Sequence, residues 1–231
     1  MARLLVRTFL TLLTVPFFVS CLVDSHCLSN ADCPSEKTCN AEGSCVYQCE
    51  DDADCGEGFV CTAHRCMASE TPGLVCPDDM VAVAGAFCVD RFEASRPDAS
   101  AEDRGTDESE AKSRAGVLPW EVGEDNALAS QACEAAGKRL CSSFEWEAAC
   151  RGSDLTAYGY GTSYEPETCN GLDTYGTTDY HLMPTDAFPG CHNDWGAVDM
   201  NGNLWEHVAE GDGTRVRGGA YNCIDSMTLH R

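Results

Sequence analysis

Cysteine spacing constrains this chain more than any other feature. Eight of its 17 cysteines fall between Cys27 and Cys66, in two sets of four. Cys27, Cys33, Cys39 and Cys45 are followed by Cys49, Cys55, Cys61 and Cys66, at offsets of 22, 22, 22 and 21 residues. The local text repeats as well, Asn30-Ala31-Asp32-Cys33 against Asp52-Ala53-Asp54-Cys55. Apolar residues are few, chiefly Val46, Tyr47, Phe59 and Val60, so neither unit can bury a core of its own. Two disulfides per unit supply the stability instead, each worth about 2–4 kcal/mol through restriction of the unfolded chain. Spacing leaves open which of the possible connectivities forms. Zinc is the rival use of such a pattern, but no CxxC pair is present and an exported chain favours disulfides.

Export is read from the first twenty residues. Arg3 and Arg7 make a basic start, and Phe9 to Val19 is an apolar run too short to span a membrane. The run ends in Val19-Ser20-Cys21, which resembles a bacterial lipoprotein cleavage site. Processing would leave Cys21 acylated as the new N-terminus, anchored in the cell envelope outside the cytoplasm. An ordinary signal peptide with Cys21 as a plain thiol is the alternative. The formal charge of −23 falls to −25 without Arg3 and Arg7. So acidic a surface excludes nucleic acid as a partner and suits divalent cations.

Residues 1–20 are therefore read as a signal peptide, 21–75 as the repeats and a polar linker, and 76–231 as one domain with a single core. Ala127 to Ala136 has helical spacing, with Gly137 as its stop. Ser142 and Glu145 form a capping box for a second helix that carries Phe144, Trp146, Ala148 and Cys150 and stops at Gly152. Met80 to Cys88 and Phe87 to Phe92 read as strands. Arg96 to Arg114 is charged and aperiodic, and reads as a mobile surface loop. Cys169 and Cys191 bracket a glycine- and tyrosine-rich stretch and are a plausible disulfide. The remaining cysteines are expected to be oxidised as well.

Five segments carry a resemblance: Asp79–Ser95 (DMVAVAGAFCVDRFEAS), Gly137–Gly152 (GKRLCSSFEWEAACRG), Tyr158–Tyr164 (YGYGTSY), Asp199–His207 (DMNGNLWEH) and Arg215–Cys223 (RVRGGAYNC). In this order they resemble the formylglycine-generating-enzyme family, the sulfatase-modifying-factor domains. The resemblance implies an α+β, loop-rich C-type-lectin-like domain behind the two disulfide-rich repeats. It also implies a closing strand beyond the RGG motif, holding a partner for Cys150, whereas this sequence stops at Arg231.

Asp199 to Glu206 places oxygen donors at useful intervals for calcium. The Asp199 and Glu206 carboxylates would close on the ion from both ends, with carbonyls of Gly202 and Leu204 between them. The matching stretch of the family binds calcium, and Asn170 resembles the start of a further family site. A plain Asn201-Gly202 turn is the alternative. In the copper-dependent members, two cysteines five residues apart form a soft site that oxidises a substrate cysteine to formylglycine. Here Cys223 holds the first position and Thr228 the second. The histidines are scattered, although His181 and His192 flank one loop and could meet. The expectation is a calcium-stabilised binding or accessory module with a protein or peptide ligand. A copper oxidase working through Cys223, or a structural envelope spacer, is the alternative.

Overall fold

The computed structural model describes residues 37–39, 44–55, 57–62, 64–123, 125–175, 179–209 and 215–223. The signal segment, Cys21, His26, Cys27, Cys33 and Thr228 lie outside them. Strands β1 (Lys37–Cys39) and β2 (Cys45–Tyr47) form an antiparallel pair. In the second cysteine-rich unit, β3 (Phe59–Thr62) and β4 (Arg65–Ala68) pair likewise, with Cys61 opposite Cys66. The disulfides are Cys49–Cys61 and Cys55–Cys66, which joins first to third and second to fourth. Asp51 caps a 3-10 turn at Asp52–Asp54 and Asp54 returns the hydrogen bond, so the acidic text of the repeat is the turn's own cap.

One expectation needs correcting at Phe59. The unit has no core of its own, yet Phe59 is only 6% exposed. Its ring meets Phe87 and Phe144 at centroid distances of 6.1 and 6.2 Å. The repeat borrows a neighbour's core, and β4 also packs on the second helix.

Beyond it, β5 (Met80–Val83) and β6 (Phe87–Asp90) make a hairpin with Val81 opposite Val89. Cys76–Cys88 ties the entering chain to that hairpin. Helix α1 (Asn126–Ala135) is capped by Asp125 and ends ahead of Gly137, whose φ is 73°. Helix α2 (Ser143–Arg151) opens on the predicted box: Ser142 accepts from Glu145 N, and the Glu145 carboxylate accepts from Ser142 N. Trp146, Ala149 and Cys150 turn inward against Val81, Val83, Val89, Ala197, Met200 and Val208. Lys138, between the helices, reaches Asp79 at 2.6 Å and Asp90 at 2.5 Å and so pins the hairpin to the α1–α2 corner.

The segment from Arg96 to Arg114 is not the free loop its composition suggests. Its ends pair as β7 (Ala94–Ser95) and β8 (Lys112–Ser113). Asp98 accepts from the N–H groups of Thr106 and Asp107, and Arg114 reaches the Arg96 carbonyl at 2.6 Å. Short polar side chains bonding to nearby backbone do here what periodicity does elsewhere. After a four-residue helix, α3 (Leu172–Tyr175), come β9 (Glu206–Val208) and β10 (Arg215–Arg217), paired antiparallel. Among the described residues every sheet has two strands. The chain thus mixes helices and strands behind a disulfide-rich N-terminal region.

Candidate functional site

Strands this short leave much backbone without ladder partners, and four buried asparagines take up that role. Asn193 Nδ2 donates to the Ala149 carbonyl while its Oδ1 accepts from Ala197 N. Asn201 Oδ1 accepts from Gly159 N at 2.8 Å. Asn203 Oδ1 accepts from Met183 N and from Asn170 Nδ2, and its own Nδ2 donates to Glu93 Oε2. Asn170 is fully buried and donates also to the His181 carbonyl. Two of the tight positions are left-handed without being glycine, Asp199 at φ 59° and Asn203 at φ 51°. These are the residue types that tolerate it. Gly202, at φ 81°, has no such substitute, because a Cβ there would collide with the Asn170 carbonyl.

Three carboxylates lie beside this asparagine network. Glu93 is buried and accepts from Asn203 and from Leu204 N. Its burial, with the charges of Asp199 and Glu206, holds its carboxyl well above the usual range. Burial raises Asp199 too, against the Asp186 N–H that its Oδ2 accepts at 2.8 Å. Burial pushes the Glu206 carboxyl up to about 8, although Trp146 Nε1 donates to it. All three carboxyls in this region thus resist ionising.

The residues proposed from sequence as calcium ligands are only partly gathered. Gly202 and Asn170 meet: Asn203 N donates to the Asn170 carbonyl, and Gly202 N to the Gly218 carbonyl. Asp199 and Glu206 turn to different partners. Among the described residues, Glu93, Asp199 and Glu206 do not bring three oxygens within 4.8 Å of one another. Asn170 Oδ1, however, is buried and accepts no hydrogen bond. An orphaned, buried amide oxygen is a donor that suits a hard cation.

Cys223 sits at the edge of the same network. Its carbonyl accepts from Leu172 N at 2.8 Å, and the neighbouring Tyr221 N donates to the Asn203 carbonyl. Its Sγ donates to Asn222 Oδ1 at 3.6 Å. A thiol and the threonine at position 228 are not the two soft thiolates that copper needs, so the copper set does not fit. The expectation of complete oxidation also fails. Cys169–Cys191 forms as expected, but Cys133 and Cys141 are thiols, pushed by burial up to about 11 and 12. Cys150 Sγ donates toward the Met200 carbonyl. His181 and His192 go to separate carbonyls, those of Asp179 and Pro189.

Glu93 and Asn203 are the site residues that the sequence did not single out. Asn203 lay inside the oxygen-rich run without an assigned role. Glu93 bonds to it across 110 positions, with no local signal to reveal the pairing.

A small mixed domain, capped and stapled around an asparagine–carboxylate network, is the class of protein these observations define. Residues 125–227 match the family model of the Sulfatase-modifying factor enzyme 1-like domain. No curated protein matches the chain.

Proposed function

We propose that this chain is a cell-envelope lipoprotein, anchored through Cys21, whose loop-rich, C-type-lectin-like domain is a calcium-stabilised binding or accessory module. Its ligand on this reading is a protein or peptide, and it does not convert cysteine to formylglycine. One observation carries the loss of oxidase chemistry: the position five residues after Cys223 is Thr228. Threonine keeps its proton near neutral pH and is a hard, weak donor, whereas Cu(I) takes soft thiolates. Disulfides at Cys49, Cys55, Cys76 and Cys169 agree with an oxidising compartment. The residues that would hold calcium are Asn170, through its unpartnered Oδ1, and the carbonyls of Gly202 and Leu204. The ion would supply charge to the acids of Asp199 and Glu206 and rigidity to the loop.

Mass spectrometry of a sulfatase-type cysteine peptide, incubated with copper-loaded protein, oxygen and a reductant, tests the main point. Peptide mass is expected to stay that of the thiol, and Thr228→Cys is expected to strengthen Cu(I) binding. Formylglycine above a no-protein control would put oxidation of a substrate cysteine in place of the binding role. Membrane fractionation tests the anchor: Cys21→Ala should be released or remain unprocessed, and wild-type behaviour of that variant refutes acylation.

A further inference from the structure

The seam between the second cysteine-rich unit and the domain encloses more than the Phe59 contact. Beside it lies a cleft of about 140 Å3. Arg65 and Met67 line it from the repeat, and Phe144, Arg151, Leu155 and Trp195 from the domain. None of these residues belongs to the asparagine–carboxylate network. Neither half makes the cleft alone, and clefts at such junctions are common ligand sites.

Most of its polar groups are accounted for. Arg151 is bound to Glu147 at 3.2 Å and to the Leu155 carbonyl at 2.7 Å. Trp195 Nε1 donates to the Ala148 carbonyl. Gln48 Oε1, also on the wall, accepts from Cys66 N. Arg65 makes no ion pair and no side-chain hydrogen bond among the described residues. That is unusual in a chain with 38 acidic residues against 15 basic ones. A guanidinium is a planar fork of donors that matches a carboxylate with two parallel bonds. The rest of the wall is aromatic and aliphatic, and the space is close to the ~150 Å3 of an apolar cavity that holds one benzene ring.

We propose that this seam binds a small carboxylic acid with a ring-sized apolar body. The carboxylate pairs with Arg65, and the ring lies among Met67, Phe144, Leu155 and Trp195. Phosphate esters and dicarboxylates are disfavoured, since Glu147 already holds the second guanidinium, Arg151.

Fluorine NMR of the full chain titrated with 4-fluorophenylacetate, and separately with neutral 4-fluorophenylacetamide, tests the proposal. The acid should bind saturably in the millimolar range or tighter, and roughly tenfold better than the amide, the effect of one charge-assisted contact. Arg65→Gln should erase that preference while leaving the amide's weaker binding in place, and Arg65→Lys should restore part of it. Absence of saturation by the acid overturns the proposal, as does a preference that survives Arg65→Gln. Arg65 is half-buried on a hairpin, so the glutamine variant keeps the fold, which unchanged melting confirms.

Discussion

Trp146 on α2 donates its indole N–H to the carboxylate of Glu206 on β9, joining elements 60 residues apart. The bond gives the acid one donor in a place where water gives it few. It also turns Glu206 toward the core, away from the position in which sequence alone would set it against Asp199. On the calcium reading proposed above, the ion would therefore centre on Asn170 rather than on the Glu206 carboxylate.

Calcium should raise the melting temperature of chelator-treated protein. A ligand that binds only the folded state adds about 2.7 kcal/mol at a hundredfold excess over its Kd. Asn170→Ala should abolish the rise, whatever it does to the apo protein, because it removes the unpartnered oxygen. A melting curve that calcium leaves unmoved in the wild type rejects the site.

Without calcium the protein should lose stability as pH rises from about 5 to 8. Glu206 has its carboxyl raised from 4.5 to about 8. Between those limits the folded state keeps a proton that the unfolded state has released, so each step up in pH favours unfolding. Glu93 and Asp199, raised by burial, act in the same direction. Asp79, lowered by Lys138, acts oppositely only below its ordinary value of 3.8, and His207, lowered by burial, acts oppositely below its ordinary 6.5, one group against three. Urea denaturation at several pH values measures the slope, and Glu206→Gln should flatten it. A wild type that gains stability over that interval contradicts the assignment.

Phe59→Ala should cost about 3–5 kcal/mol, the range for emptying a buried aromatic site, even though the residue belongs to a unit without a core. Its partners are Phe87 and Phe144 of the domain. Denaturant unfolding gives the value, and a loss below about 1 kcal/mol would mean that the seam is not a packed contact.

These contacts also mark how far the sequence could be read. Ser142, Glu145, Gly137 and Gly152 act within a few residues of themselves, so both bounds of α2 and the end of α1 were visible as caps and stops, while the Asp125 cap of α1 was not read. The extended character of the β5–β6 segment showed in its alternation, although the strand read over Met80–Cys88 ran through the hairpin turn, and Cys169–Cys191 showed in its bracketing of one loop. Phe59 was invisible as a core residue because its partners lie in another unit. Arg96–Arg114 was misread because side-chain-to-backbone bonding leaves no period. In the asparagine network, Asn170 and Gly202 were found through a motif. Glu93 was missed because a buried acid recruited over such a separation looks like any other glutamate.

The buried asparagines also decide how this protein ages. Asn170 and Asn201 are each followed by glycine, the pairing in which an asparagine side chain is most readily attacked by the next backbone nitrogen. In the fold that nitrogen is occupied in both cases: Gly171 N donates to Thr174 Oγ1, and Gly202 N to the Gly218 carbonyl. Unfolding frees both nitrogens, and cyclisation followed by hydrolysis writes an aspartate or isoaspartate where the native structure allows almost no solvent. Peptide mapping after repeated unfolding should find the damage at these two positions, and little of it in protein kept native. The native state is thus a preservative for its own covalent sequence, and each excursion from it risks a change that refolding cannot undo.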